Sequence, residues 1–261
     1  MADSNLKKAD LVIGALIVGA VGLVLLARPL LFEPHSQASK PTPVPDYVKQ
    51  QIRSQPDTPV HGIDVSHYQG AIDWQQVAKA DISFAYLKAT DGITYQDPSF
   101  NRYMAQASQT DLKLGPYHFF EAEDDPHKQL ANFLNTIKKQ SLSLTPMVDV
   151  ELTQDQSAAR IKSNLTVFLK QLEQATGCKP IIYSYSSFWQ TNIGPGFDSY
   201  PFWLADYAKT PTPPVGIKNW QIWQYSQTGK IAGIEHSVDL DVVLGGKHQL
   251  DKLQCNYQAM R

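Results

Sequence analysis

Two carboxylates stand two residues apart in the apolar run TPMVDVEL, residues 145–152. If this run is a strand, Asp149 and Glu151 share one face, because strand side chains alternate. Buried carboxylates that lie close together raise each other's pKa, because the charge on one opposes ionisation of the other. Such pairs are typical of sites that need one protonated and one ionised acid near neutral pH. We predict that Asp149 is ionised and keeps Glu151 protonated as a general acid.

Further acidic residues fall near the ends of other apolar runs. Clustered carboxylates bind Mg²⁺ or Ca²⁺, hydrolyse glycosides by protonating the leaving oxygen and stabilising an oxocarbenium-like centre, or form structural networks. Nearby aromatic residues favour a carbohydrate groove, because their rings offer flat apolar faces with polar edges. The acids are Asp64, Asp206, Asp239 and Asp241, and the aromatic residues are Tyr117, His118, Phe119, Tyr183, Tyr185, Trp203, Tyr207, Trp220, Trp223 and Tyr225.

Eight apolar runs rich in strand-forming residues are predicted to be strands. The first five alternate with segments of helical pattern, which indicates parallel β/α units. Helix starts are predicted at Asp73, at Asp97-Pro98 and at Asp125-Pro126. The strand runs are HGIDVSHY, ISFAYLKA, LKLGPYHFF, LTPMVDVEL, KPIIYSYS, PFWLADY, WQIWQYS and VDLDVVL.

The last three predicted strands have no full helices between them. The predicted fold is therefore α/β, a modified TIM-like barrel with a (β/α)5 portion followed by about three strands with little helix. Functional side chains of such barrels lie at the C-terminal ends of several strands. We expect the acids to meet at one mouth, namely Asp64, Asp149, Glu151, Asp206, Asp239 and Asp241.

The composition is that of a globular protein. The chain has 261 residues, 43% of them hydrophobic, and a net charge of −2. Because there is no basic excess, nucleic acid is not predicted as a partner. The two cysteines, Cys178 and Cys255, are too few for a zinc site or a disulfide framework. Whether they form one bridge stays open.

The N-terminal region predicts a membrane anchor. Uncharged, mostly apolar residues run from Leu11 to Ala27, near the shortest length that spans a membrane. Lys7 and Lys8 precede the run and favour a cytoplasmic N-terminus, with a cleaved signal peptide as the alternative. We divide the chain into a cytoplasmic stub and anchor (1–32), a Pro/Ser-rich linker (33–59) and a catalytic barrel (60–261) that works in the periplasm or outside the cell.

Eight motifs together resemble those of the glycoside hydrolase family 25 lysozymes, the Chalaropsis-type N-acetylmuramidases. A lone D-x-E is weak evidence, but D-x-S-x-x-Q on a first strand, D-x-E on a fourth and a late V-D-x-N/D, in this order, are specific. The resemblance covers roughly residues 60–245. The motifs are GIDVSHYQGAIDW, FAYLKATDG, GPYHFF, PMVDVE, IIYS, FWLADY, WQIWQYS and GIEHSVDLD.

The resemblance implies cleavage of the β-1,4 bond between N-acetylmuramic acid and N-acetylglucosamine in peptidoglycan strands, with no metal or other cofactor. It implies that Glu151 is the proton donor and that Asp149 orients or charge-stabilises the substrate's 2-acetamido group. It also implies that Asp64 and Asp239 line the same cleft. The predicted substrate-binding residues, of which the first two follow from the resemblance, are Tyr117, Tyr183, Tyr185, Trp203, Tyr207 and Gln224.

Several alternatives stay open. Chitinase-like barrels carry D-x-D-x-E on a strand, but Met147 stands where the first Asp would be. A non-catalytic barrel could hold peptidoglycan without cutting it, or serve as a scaffold for membrane partners. Asp241 competes with Asp239 as the late acid, and His118 is either a core residue or a sugar ligand. Ser66 and Gln69 match motif positions that support a site.

Overall fold

A computed structural model of the protein describes residues 40–53, 58–218 and 220–255. The predicted anchor lies outside the described residues, as does the first part of the predicted linker. In the part of the chain that is described, no helix is both long and apolar enough to cross a membrane.

The described chain alternates strands and helices, with a single 3-10 turn at His67–Gln69 after the first strand. The elements in chain order are α1 (Asp46–Arg53), β1 (Val60–Val65), α2 (Trp74–Ala78), β2 (Phe84–Asp91), β3 (Tyr95–Gln96), α3 (Phe100–Ala107), β4 (Lys113–Phe119), α4 (Pro126–Ile137), β5 (Met147–Asp149), α5 (Ala158–Thr176), β6 (Ile181–Tyr185), α6 (Ser186–Asn192), β7 (Phe202–Ala205), β8 (Trp220–Gly229), β9 (Val238–Val243) and α7 (Gly246–Lys252).

Eight of the strands close into a barrel. Around it the order is β1, β2, β4, β5, β6, β7, β8, β9 and back to β1, with the short β3 paired only to β2. The pairs from β1 through β8 are parallel, whereas β9 is antiparallel to both of its neighbours. Five β/α units precede β7, β8 and β9, which follow without helices between them. The predicted (β/α)5 barrel with three further strands is confirmed.

Aromatic rings fill the lower barrel. Phe84, Tyr86 and Trp203 pack edge to face, with ring centroids 5.1 Å apart for Tyr86 and Trp203. Gly62 and Gly115 make room for them, because a Cβ on Gly62 would overlap the Phe84 ring and one on Gly115 would overlap Tyr86. These buried rings fill the barrel interior below the C-terminal ends of the parallel strands.

Two of the three predicted helix starts are confirmed. Asp73 and Asp125 are N-caps whose carboxylates accept hydrogen bonds from backbone N–H groups of the first turn. The start predicted at Asp97 is wrong, because α3 begins at Phe100 after the N-cap residue Ser99. One carboxylate oxygen of Asp97 instead accepts from the His67 backbone N–H at 3.0 Å, which ties the chain to the turn after β1 before the helix starts.

The predicted linker is partly folded. Residues 46–53 form α1, and its Val48 and Ile52 lie one turn apart and are buried in the barrel's outer core. This four-residue apolar spacing lies in a polar segment, so the sequence predicts only a linker there. At the other terminus, Cys178 and Cys255 form a disulfide that joins the turn after α5 to the segment after α7, which answers the question left open above.

Candidate active site

A cleft of about 280 Å³ opens at the C-terminal ends of the barrel strands. Asp64 reaches it from β1, Asp149 from the end of β5, Glu151 from just beyond β5 and Asp239 from the start of β9. Because β9 runs antiparallel to its neighbours, its first residues lie at the same end as the last residues of the others. Asp206 and Asp241, which were also expected at this mouth, are not in the cleft lining. The Asp206 carboxylate accepts from two backbone N–H groups in the loop after β7, and Asp241 is fully buried.

Asp149 and Glu151 are electrostatically coupled. Asp149 is only 8% exposed, and its Oδ1 receives no hydrogen bond from any described residue. Burial, reinforced by the charge of Glu151, raises the pKa of Asp149 well above its ordinary value. Burial also raises the pKa of Glu151, but a hydrogen bond from the Tyr183 hydroxyl opposes that shift. The pKa values of both carboxyl groups are therefore raised, which favours a proton on either of them near neutral pH.

The predicted division of roles, with Asp149 ionised and Glu151 protonated, stays a prediction. Asp149 is on the strand itself, within the barrel, whereas Glu151 follows the strand and is partly exposed. Deeper burial favours the neutral form of a carboxyl group, and it raises the pKa of Asp149 well above its ordinary value. Spacing along the sequence does not reveal this difference in depth.

A lysine offsets some of the negative charge. Lys88 lines the cleft, and its Nζ lies 2.7 Å from a carboxylate oxygen of Asp91 and 4.8 Å from the centre of the Phe119 ring. Its positive charge lowers the pKa of both Asp149 and Glu151. This partly counters the effect of burial, and it keeps the ionised form of Glu151 accessible.

Asp64 and Asp239 face each other across the β1–β9 pair. They are direct register partners, and their carboxyl groups share a hydrogen bond. Burial is the main cause that raises the pKa of Asp64 to about 6 and that of Asp239 to about 9. Asp64 is therefore the member that ionises first, while Asp239 stays protonated at neutral pH.

Gln224 on β8 organises the cleft floor. Its amide nitrogen donates to Asp64 Oδ2 at 2.8 Å, and its amide oxygen accepts from the hydroxyls of Tyr183 at 2.8 Å and Tyr207 at 2.7 Å. These three bonds fix the orientation of the amide. The Tyr183 hydroxyl is also within reach of Glu151, and its single proton serves one acceptor at a time.

The predicted substrate-binding residues do not all reach the cleft. Trp203 is wrong as a substrate contact, because its side chain has no exposed surface and its indole N–H donates to Asp241 below the floor. Its side chain points into the barrel interior, where it packs against Phe84 and Tyr86, and this layer is too deep for contact with a substrate in the cleft. Tyr185 lies at the rim, 38% exposed, with its hydroxyl 3.5 Å from the Glu151 carbonyl oxygen. Of the predicted substrate-binding residues, those that line the cleft are Tyr117, Tyr183, Tyr207 and Gln224.

Four lining residues were not singled out from the sequence, namely Val65, Tyr68, Lys88 and Gln227. Tyr68 is 74% exposed and packs against His67, with ring centroids 4.1 Å apart. Val65, Tyr68 and Lys88 lie inside the quoted motifs and Gln227 follows one directly, so the non-acidic residues of each motif are the signal that points to them.

Ser66 and Gln69 shape the turn that carries Tyr68. They form a reciprocal capping box around the 3-10 turn, and the Gln69 side-chain amide also donates to the Ser237 carbonyl at 2.9 Å.

His118, by contrast, is a core residue. It is fully buried between Thr90 Oγ1 and Gln129 Oε1, and burial lowers its pKa to about 4.

Comparisons with known proteins agree with this geometry. Residues 63–234 match the model of the glycosyl hydrolases family 25. The chain is 33% identical to an autolytic lysozyme of Clostridium acetobutylicum, over 73% of this chain and 59% of that protein. It is 31% identical to lysozyme M1 of Streptomyces globisporus, over 76% and 72%. The crystal structure of a bacterial lysozyme from Streptomyces coelicolor superposes with a TM-score of 0.71 at 31% identity, covering 77% of this chain and 98% of that one.

Proposed function

The chain belongs to the glycosyl hydrolases of family 25 and is a muramidase, and from this premise we propose which bond it cleaves and how. The substrate is the β-1,4 bond between N-acetylmuramic acid and N-acetylglucosamine in peptidoglycan strands. The observation that carries the proposal is the meeting of Glu151, Asp149, Asp64 and Asp239 in one aromatic-lined cleft.

Glu151 is the proposed general acid. Its carboxyl proton passes to the glycosidic oxygen, and the electron pair of the breaking C–O bond goes to that oxygen. The leaving sugar departs as an alcohol, and Glu151 is left as a carboxylate. Positive charge develops at the anomeric carbon, where the nearby carboxyl groups stabilise it electrostatically. Water later adds a hydroxyl group to that carbon and returns a proton to the site.

Glu151 must be protonated to act as the general acid, although Asp149 is the more deeply buried of the two carboxyl groups. Glu151 is the more exposed member, so a bound glycan that excludes water raises its pKa more than that of the already buried Asp149. With the Tyr183 hydroxyl donating to Gln224, Glu151 lacks a hydrogen bond that would favour its ionised form. Both features favour a proton on Glu151 beside the leaving oxygen, and an ionised Asp149 then faces the acetamido group.

The aromatic lining supports a sugar substrate. Tyr117, Tyr183 and Tyr207 line the cleft with Tyr68, while Tyr185 stands at the rim. Such rings pack against pyranose faces while their hydroxyls bond sugar oxygens. Tyr207 and Tyr183 are held in place by the shared acceptor on Gln224, which preorganises this surface.

Mass spectrometry of muropeptides tests the bond specificity. Digestion of purified peptidoglycan should yield fragments that, after chemical reduction, carry the reduced sugar at N-acetylmuramic acid. Reduced N-acetylglucosamine ends would mean that the chain cleaves the other glycosidic bond. A non-catalytic wall-binding barrel, the alternative function, would retain peptidoglycan and release no new ends.

We also propose that residues 1–32 anchor the enzyme in a membrane, with the barrel in the periplasm or outside the cell. The apolar run from Leu11 to Ala27 supports the anchor, and the Cys178–Cys255 disulfide fits an oxidising compartment. Membrane fractions washed with alkaline carbonate should retain the chain with its N-terminus intact. A soluble protein whose first residue lies beyond the apolar run would show a cleaved signal peptide instead.

A further inference from the structure

Asp241 on β9 is a buried carboxyl group directly beneath the cleft. Its side chain has no exposed surface. Its Oδ1 accepts a hydrogen bond from the Trp203 indole N–H at 3.2 Å, but its Oδ2 receives no hydrogen bond from any N–H or O–H donor of the described residues. A carboxylate buried in this way is costly. A neutral carboxylic acid is not, provided that its own O–H finds an acceptor.

The acceptor that Asp241 faces is Asp64. Asp239 pairs directly with Asp64 across the β1–β9 ladder, and Asp241 lies two residues further along the same face of β9. The carboxyl groups of Asp64 and Asp241 are within hydrogen-bonding reach of each other. Two carboxyl groups form a hydrogen bond only when one of them carries a proton.

The surroundings decide which of the two carries it. Asp64 Oδ2 accepts from the Gln224 amide at 2.8 Å, so Asp64 already has a donor suited to the ionised form. Burial raises the pKa of Asp241 well above that of an ordinary carboxyl, whereas the pKa of Asp64 is about 6. The proton therefore belongs to Asp241, and its O–H points at Asp64.

We propose that Asp241 is a positioning residue, a neutral carboxylic acid whose O–H donates to Asp64 and holds it ionised and oriented at the cleft floor. Asp241 acts through Asp64 and does not touch the substrate, since it is absent from the cleft lining. Its catalytic consequence rests on the proposed function, but its protonation does not.

The groups that share this environment come from several strands. Asp64 is faced by Glu151 from beyond β5, by Asp239 from β9 and by Gln224 from β8. Asp241 is faced by Asp64, by Asp239 on its own strand and by Trp203 from β7. Its charge would also act on the hydroxyls of two tyrosines from neighbouring segments, Tyr207 and Tyr225. The titration of these same neighbours therefore has to be considered when a pH effect of an Asp241 variant is interpreted.

Two substitutions in the full chain separate a donor role from a packing role. Asp241→Asn keeps the shape and supplies an amide N–H toward Asp64, so kcat/KM on peptidoglycan should stay within about threefold of wild type with an unchanged acid limb of the pH profile. Asp241→Leu keeps the bulk and removes the donor, so the Asp64 pKa rises and the acid limb should move up by about one pH unit. The proposal is overturned if Asp241→Asn loses as much activity as Asp241→Leu, or if Asp241→Leu leaves the limb in place.

Infrared difference spectroscopy tests the protonation without any activity. At neutral pH, wild type minus Asp241→Asn should show loss of the carbonyl stretch of a protonated carboxylic acid. The matched control is Asp251→Asn, because Lys247 binds that exposed carboxylate and lowers its pKa; its difference spectrum should show loss of carboxylate bands alone. If Asp241→Asn also loses only carboxylate bands, Asp241 is ionised and the inference fails. This result stands even if the chain releases no reducing ends, and it decides the matter if Asp241→Leu does not fold.

Discussion

Replacement of Asp239 by Asn is expected to stabilise the fold while it disables the cleft. Burial and the facing Asp64 raise the pKa of Asp239 from 3.8 to about 9. In the unfolded chain this carboxyl is ionised above pH 4, so folding between pH 4 and 9 takes up a proton. The free energy of unfolding then falls with rising pH, by at most about 1.4 kcal/mol per pH unit from this one group. Asparagine does not titrate, so the variant lacks this slope.

The expected advantage of Asp239→Asn therefore grows with pH. Between pH 5 and 7 the upper limit is about 2.8 kcal/mol, and the partly exposed site and its coupling to Asp64 reduce it to about 1–2 kcal/mol. Urea unfolding of both proteins at pH 5, 6 and 7 measures the difference. Asp251→Asn is the control, since the pKa of Asp251 is lowered and its difference from wild type should stay constant over this range. An Asp239→Asn difference that does not increase with pH would refute the buried, neutral state assigned to Asp239.

Three further substitutions test the barrel and the cleft rim. Gly62→Ala should lower the free energy of unfolding by about 1–3 kcal/mol, because the new methyl group overlaps the Phe84 ring; urea unfolding at wild-type stability would contradict this packing. Cys178→Ser should lower the free energy of unfolding by about 4 kcal/mol, since the disulfide closes a loop of 77 residues. In thermal melts, wild type in reductant should match this variant. A wild-type melt that does not respond to reductant would count against the bridge. Tyr68→Ala should raise KM for peptidoglycan about fivefold with little change in kcat, because it removes an exposed stacking face; an unchanged KM would show that Tyr68 does not contact the glycan.

The order and type of the barrel elements could be predicted from local pattern. Apolar strand runs, alternation with helical segments and the caps at Asp73 and Asp125 are short-range signals. The gathering of acids at the strand ends follows from the same fold rule. What local pattern could not provide is depth, because depth depends on which residues other strands bring alongside. That is why Trp203 was assigned to the cleft although its side chain is fully buried, and why the deeper burial of Asp149 relative to Glu151 could not be predicted.

Features that depend on residues distant in the sequence could not be predicted either. Asp97 accepts from the Ser99 backbone N–H as a helix cap would, but α3 begins at Phe100, and the second bond of Asp97, to His67 thirty residues away, could not be read from local pattern. The burial of α1 requires a surface that the rest of the chain builds. Likewise, the neutral state of Asp241 depends on Asp64 and Trp203, neither of which is a sequence neighbour.

The most direct test of the account is the rate of reducing-end release from purified peptidoglycan by wild type and Glu151→Gln. Loss of a general acid is expected to lower the rate by about 10³-fold, while a cooperative thermal melt shows that the variant stays folded. Glu173→Gln, on α5 beside Tyr200, is the matched control and should keep the wild-type rate. Equal release by wild type and Glu151→Gln would show that Glu151 is not the proton donor, and the assignment of chemistry to this cleft would fall with it.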